Sequence, residues 1–210
     1  MTAVGALRAR VDELLAGPQP MPIVQAGDPV LRTRAVPYDG QLDDDVLTAL
    51  VAAMRRTMHE APGVGLAAPQ VGLGLALAVV EDTWDLDDDL SAARERTPVP
   101  FRVLVNPRYE PVDDEQVAFY EGCLSVEGWQ AVTPRWRRVR LTGADQYGAR
   151  LDEVLTGWPA RIVQHETDHL DGVLYVDRAE MRSLVAPEHA LRYADPTPER
   201  AALELGFRLP

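Results

Sequence analysis

The chain has 210 residues, enough for one domain with a sizeable core and no need of a covalent staple. Its net charge of −12, from 21 basic and 33 acidic residues, argues against a nucleic-acid binder, because phosphate contacts need clustered Lys and Arg. The lone cysteine, Cys123, excludes an intramolecular disulfide and points to a reducing, cytoplasmic setting; no stretch approaches the ~20 apolar residues of a membrane span, and residues 1–20 hold no signal-type apolar run.

Residues 1–20 read as an N-terminal extension to a main domain over 21–185. Leu7, Val11, Leu14 and Leu15 recur at i, i+4, i+7 and i+8, the spacing of one helical face, and Gly17-Pro18 stops the pattern. A short docked helix or a frayed arm is expected there. Val46, Leu47, Leu50, Val51, Met54 and Met58 predict an amphipathic helix over about 44–59, with Asp43, Asp44 and Asp45 at the end where acids favour the helix dipole. The Gly-rich run 63–72 reads as a loop, and 75–80 as a buried strand. Residues 82–100, Asp-rich and then Pro-punctuated, read as a surface loop. Strands are expected at 101–106, 117–120, 132–142 and 151–156, the last two joined through a turn at Gly148. A second strong helix is expected over 159–171, with Pro159 at its first position and Gly172 just past its end. A C-terminal tail, 186–210, has a helical stretch near 197–205 with Pro198 at its start. There is no internal repeat, and the mixture predicts an α+β fold with short strands around a helix.

His165-Glu166-Thr167-Asp168-His169 is an H-E-x-x-H pattern on the second predicted helix. Residues four apart share a helical face with Cβ atoms ~5–6 Å apart, so two imidazoles can grip one metal ion. Glu166 lies ~100° further round and can reach past the metal toward a water, the placement a general base needs. Ile162 and Trp158 lie on the same side, so the histidines share an apolar stripe, where they are costly unless satisfied. A catalytic tetrahedral site takes a third protein ligand and leaves one position open. The extended pattern H-E-x-x-H-x-x-G-x-x-H is met at Gly172 and fails at Tyr175. Glu188 is near the spacing of another known ligand set, but it follows Pro187 with no clear helix to carry it. Cys123 is the strong remaining candidate, since a thiolate with two imidazoles is an accepted catalytic set. A lone Cys is more often a small buried hydrophobe, but Glu121, Gly122 and Ser125 around it are not a core strand's composition.

Three segments together resemble the peptide deformylase family over roughly residues 22–180. Gly63-Val64-Gly65-Leu66-Ala67-Ala68-Pro69-Gln70 matches its Gly-x-Gly-x-Ala-Ala-x-Gln loop, residues 121–125 its Glu-Gly-Cys-Leu-Ser segment, and residues 164–172 its Gln-His-Glu-x-Asp-His-Leu-x-Gly helix, in that order. The resemblance implies an α+β fold with the H-E-x-x-H helix central among small antiparallel sheets. It implies a metallohydrolase that removes the N-formyl group from the initiator methionine of nascent proteins and releases formate. It implies one divalent ion held by Cys123, His165 and His169, usually Fe(II) in the cell, with Zn, Ni or Co able to take the site. Glu166 would then serve as general base toward a metal-activated water, and the Gln70 amide and Leu124 backbone N–H would stabilise the oxyanion. Val64, Phe119, Trp158 and Ile162 flank the motifs and are candidates for the apolar pocket of the methionine side chain. Val64 and Gly65 also offer backbone to an extended peptide, and Glu121 and Gly122 of the Cys segment join the candidate set. Arg135 follows Pro134 as in the family's Pro-Arg element, with an ion pair to Glu121 or a substrate contact as its alternatives. The implied partners are N-formylmethionyl nascent peptides and, transiently, the ribosome, with no nucleic-acid or membrane role.

Glu127 departs from the family in standing where many members have Pro. Residues 181–210 are another departure: Arg182, Arg192, Arg200 and Arg208 are balanced by Glu188, Asp195, Glu199 and Glu204, so they lack the basic character of the helix by which some members dock the ribosome. Other readings share the motif. A metalloprotease cutting internal bonds needs a His or Glu as third ligand. A non-catalytic binding module needs no base at Glu166. A structural zinc takes four closed protein ligands, and only His59 and His189 remain, with no second Cys.

Overall fold

In a computed structural model, which describes residues 3–83 and 88–210, the apolar run of the first long strand lies inside a five-stranded sheet. The strands are β1 (Gly65–Ala67), β2 (Leu77–Asp82), β3 (Val99–Pro111), β4 (Gln116–Cys123), β5 (Val126–Trp136), β6 (Arg138–Ala144) and β7 (Arg150–Thr156). The sheet order is β1-β2-β3-β6-β7, and β4 and β5 form a separate hairpin; the paired strands run antiparallel throughout. The helices are α1 (Ala3–Ala16), α2 (Asp44–Glu60), α3 (Asp88–Ala93), α4 (Gly157–Leu170) and α5 (Glu199–Leu205).

Strand β2 shows why the sequence reads as a continuous apolar run. Leu77 and Val79 point into one core cluster, with Leu50, Met54 and Met58 of α2. Ala78 and Val80 point into another, with Ala160, Ile162 and Val163 of α4. A strand covered on both faces has no solvent side to alternate toward. On α1, Val11 and Leu14 are buried against the α2 cluster and Leu7 and Leu15 pack at its edge, so the predicted face is the docked one.

Several boundaries differ from expectation. The Gly-rich segment is not wholly loop: β1 pairs with β2 from Gly65↔Val80 to Ala67↔Ala78, and a 3-10 turn follows at Ala68–Val71. The 132–142 strand is two strands, for β5 pairs with β4 while β6 pairs with β3 and β7. The chain changes sheet at Arg137, and the in-out alternation passes through such a change without a mark. Part of 82–100 is α3 and the start of β3; residues 84–87 of that expected loop lie outside the described residues. Helix α4 starts at Gly157, which puts Pro159 at its third position; the missing N–H does no harm there, because first-turn N–H groups have no intrahelical acceptor. Gly172 does follow the helix end, at φ 77°. The last helix begins at Glu199, after a 3-10 stretch at Pro187–Tyr193.

Leu50 is fully buried where α2 meets the sheet. Leu50→Ala is expected to lower unfolding free energy by about 2–5 kcal/mol, read as a lower urea midpoint with an unchanged m-value.

Candidate metal centre

Two elements meet to make the site. Helix α4 carries His165 and His169 on one face, with ring centroids 5.0 Å apart. Strand β4 ends at Cys123, where the hairpin register shifts between Gly122 and Cys123. Such an irregularity re-aims a side chain that a regular ladder would commit to one face. The Cys123 Sγ lies 3.3 Å from His169 Nε2, and one donor atom from each of Cys123, His165 and His169 lies within 4.8 Å of the others.

The surroundings orient these donors. His165 Nδ1 lies 3.1 Å from the Glu121 carboxylate, which leaves Nε2 as the outward nitrogen. Glu121 also accepts from Arg135 at 3.0 and 2.9 Å, and from Arg161. Burial alone would push the Glu121 carboxyl up; the charges of Arg135 and Arg161 overcome it and hold the group well below the usual carboxylate range. Gln70 Nε2 lies 3.6 Å from Cys123 Sγ, and its Oε1 accepts from the Ala67 N–H at 2.9 Å. The Ser125 N–H points at the same sulfur at 3.4 Å.

Glu166 is buried, and its Oε2 has no hydrogen-bond partner among the described residues. Burial pushes its carboxyl up to about 7, against the lowering pull of His165 and Arg135. The carboxylate packs over Gly65: a Cβ built there would sit 2.2 Å from Glu166 Oε1. One sulfur and two imidazole nitrogens converging beside an unsatisfied carboxylate suit a borderline divalent ion such as Zn or Fe(II).

A cavity of about 550 Å³ opens on this group, within the usual range for small-ligand sites. Its wall includes Cys123, His165 and Glu166, and also Val64, Gly65, Gln70, Glu121, Gly122, Leu124, Trp158 and Ile162. Phe119 and Arg135 are not in that wall. Phe119 is buried under the Arg161 guanidinium, whose Cζ is 5.1 Å from the ring centroid. Arg135 is buried between Glu121 and Asp168, so of its two alternatives the ion pair is the one the structure contains. Trp158 is held by its indole N–H, 2.6 Å from Asp82 Oδ2. The sequence reading missed the wall residues Arg94, Arg161, Leu191 and Tyr193. Arg161 carried a usable signal, one helical turn before His165 and beside the apolar Ile162. Arg94 and the two tail residues carried none.

The model of the Polypeptide deformylase family matches residues 20–184. The chain belongs to the peptide deformylase family. It is 63% identical over 205 residues to Peptide deformylase 3 of Streptomyces avermitilis, covering 97% of this chain and 92% of that protein. It is 60% identical over 205 residues to Peptide deformylase 1 of Streptomyces coelicolor, covering 97% of this chain and 94% of that one. The Met-Ala-Ser-bound crystal structure of class I type b peptide deformylase from Acinetobacter baumannii superposes with a TM-score of 0.68 at 33% identity, covering 75% of this chain and 97% of that chain. The α+β fold with antiparallel sheets is that of the peptide deformylases. The family's activity is metal-dependent deformylation of nascent peptides, and this member is a metallohydrolase.

Gly65→Ala places a methyl group where the Glu166 carboxylate sits. Deformylase kcat is expected to fall about 10²-fold, the scale of a 1 Å misplacement, with bound metal retained and the thermal midpoint lowered, since an extra methyl in a packed interior typically costs about 1–3 kcal/mol.

Proposed function

We propose that this chain hydrolyses the N-formyl group of the initiator methionine on nascent polypeptides, with Cys123, His165 and His169 holding one divalent ion and Glu166 as general base. The observation that carries the reading is the convergence of the three donor atoms beside a buried carboxylate held over a glycine. A bound ion supplies Lewis acidity, which lowers the pKa of water toward neutrality. Glu166 accepts a proton from the attacking water as its oxygen bonds to the formyl carbon. The Gln70 Nε2 and the Leu124 backbone N–H donate to the oxyanion that forms. Glu166 then passes the proton to the departing α-amine as the C–N bond breaks, and formate leaves. A carboxyl group near 7 is well matched to taking and returning a proton at neutral pH. Gly65, Val64 and Gly122 offer backbone to an extended peptide, and Trp158 and Ile162 form an apolar wall for the methionine side chain. The bound Met-Ala-Ser of the Acinetobacter baumannii structure supports the cavity as a peptide site.

Fe(II) is the proposed ion in the cell, with Zn, Ni or Co able to occupy the same donors. The proposed place of action is the cytoplasm, where a cysteine ligand stays reduced and nascent chains are met transiently at the ribosome. No helix among the described residues is long and apolar enough to cross a membrane.

The test is formate release from formyl-Met-Ala-Ser by protein purified anaerobically. Release should stop with a chelator and return with added metal. Glu166→Gln should keep the metal and lose about 10²–10⁴ in kcat, the usual contribution of a general base. Cys123→Ser should lose metal. Unchanged turnover in the first variant, or unchanged metal affinity in the second, would refute those roles.

A further inference from the structure

Arg94 directly follows α3, in a stretch that the three motifs do not include. Its side chain lines the cavity that holds Cys123, His165 and Glu166. The guanidinium lies against two rings, with Cζ 5.2 Å from the Trp158 centroid and 5.5 Å from that of Phe119. Its Nε is buried without a hydrogen-bond partner, and Glu121, whose charge reaches it, is already paired with Arg135 and Arg161. The neighbouring cations all have acids: Arg96 has Asp82, Arg161 has Glu121, and Arg135 has Glu121 and Asp168. Burial, and then the charge of Arg96, push the Arg94 pKa down against a smaller upward pull from Glu121.

A guanidinium remains charged in a protein and presents a fork that matches a carboxylate. Held by aromatic faces, it is pre-organised for that partner. We propose that Arg94 is a carboxylate-binding residue of the substrate cavity, giving a preference for formyl peptides with an acidic side chain close to the formyl-methionine. This inference rests on the deformylase reading of the cavity. With a net charge of −12, the chain as a whole repels acidic peptides, so such a preference needs a local cation. Formate, released in the reaction, has the same chemistry and is the other source of the carboxylate.

The experiment measures kcat/KM for formyl-Met-Glu-Ser, formyl-Met-Ala-Glu and formyl-Met-Ala-Ser, and inhibition by formate, with wild-type, Arg94→Met and Arg94→Lys holoenzymes. The acidic-to-neutral ratio does not depend on the fraction of folded enzyme, so a partly misfolded variant still reports. The better acidic peptide should lose about tenfold in that ratio in Arg94→Met, and less in Arg94→Lys. The wild-type ratio should also fall in about 1 M salt, where the screening length is ~3 Å. An unchanged ratio with formate inhibition weakened about tenfold would support the same site with formate as its ligand. Ratio and formate inhibition both indifferent to Arg94 would overturn the proposal while leaving deformylation standing. No formate from any peptide with wild-type holoenzyme would overturn both.

Discussion

The Glu121 carboxylate joins the hairpin, the helix α4 and the metal donors in one buried cluster. It sits on β4, accepts from Arg135 on β5 and from Arg161 on α4, and faces His165 Nδ1. Arg135 reaches on to Asp168 of α4, which also accepts from Tyr109 and Arg178. The β4–β5 hairpin is a two-stranded unit, too small to be stable alone. Its attachment to α4 therefore governs where Cys123 lies relative to the histidines. Removing one partner from such a buried charge cluster typically costs about 3–5 kcal/mol, because the others are left charged and unpaired. The metal donors and the buried ion network are thus one construction: the charges that hold the hairpin on the helix also turn the His165 ring.

Close packing then sets the chemistry at the second acid. Glu166 is buried over a residue without a side chain, and burial is what moves its carboxyl toward neutrality. The two carboxylates of the site differ by their neighbours: Glu121 has two guanidiniums and stays charged, whereas Glu166 has an orphan oxygen and a raised pKa. Separating two like groups in this way assigns one to orientation and the other to proton transfer.

The cavity is completed from both sides by chain outside the three motifs. Arg94 comes from the segment after α3, while Leu191 and Tyr193 come from the 3-10 stretch of the tail. Tyr193 stacks on Tyr120 with centroids 6.2 Å apart, and Val185 bridges to Gln130, so the tail is packed on the hairpin next to Cys123. The family match ends at residue 184, just before this segment. Differences in substrate preference among related chains have room to arise here without disturbing the metal donors.

Legible in the sequence were the amphipathic helix of Asp44–Glu60, the buried run of β2, the H-E-x-x-H helix and the three motifs that carry the family. Each is written in local spacing: a helical face repeats every three or four residues, and a doubly covered strand has no polar gaps. Only the tertiary structure decided that the 132–142 segment serves two sheets, because alternation is the same whichever partner a strand takes. The burial of Arg135, the placement of Phe119 behind Arg161 rather than in the cavity, and the entry of Arg94 and Tyr193 into its wall were likewise tertiary. Those facts concern which distant residues touch, and they follow from how α4, the hairpin and the tail pack together. No spacing along the chain encodes them.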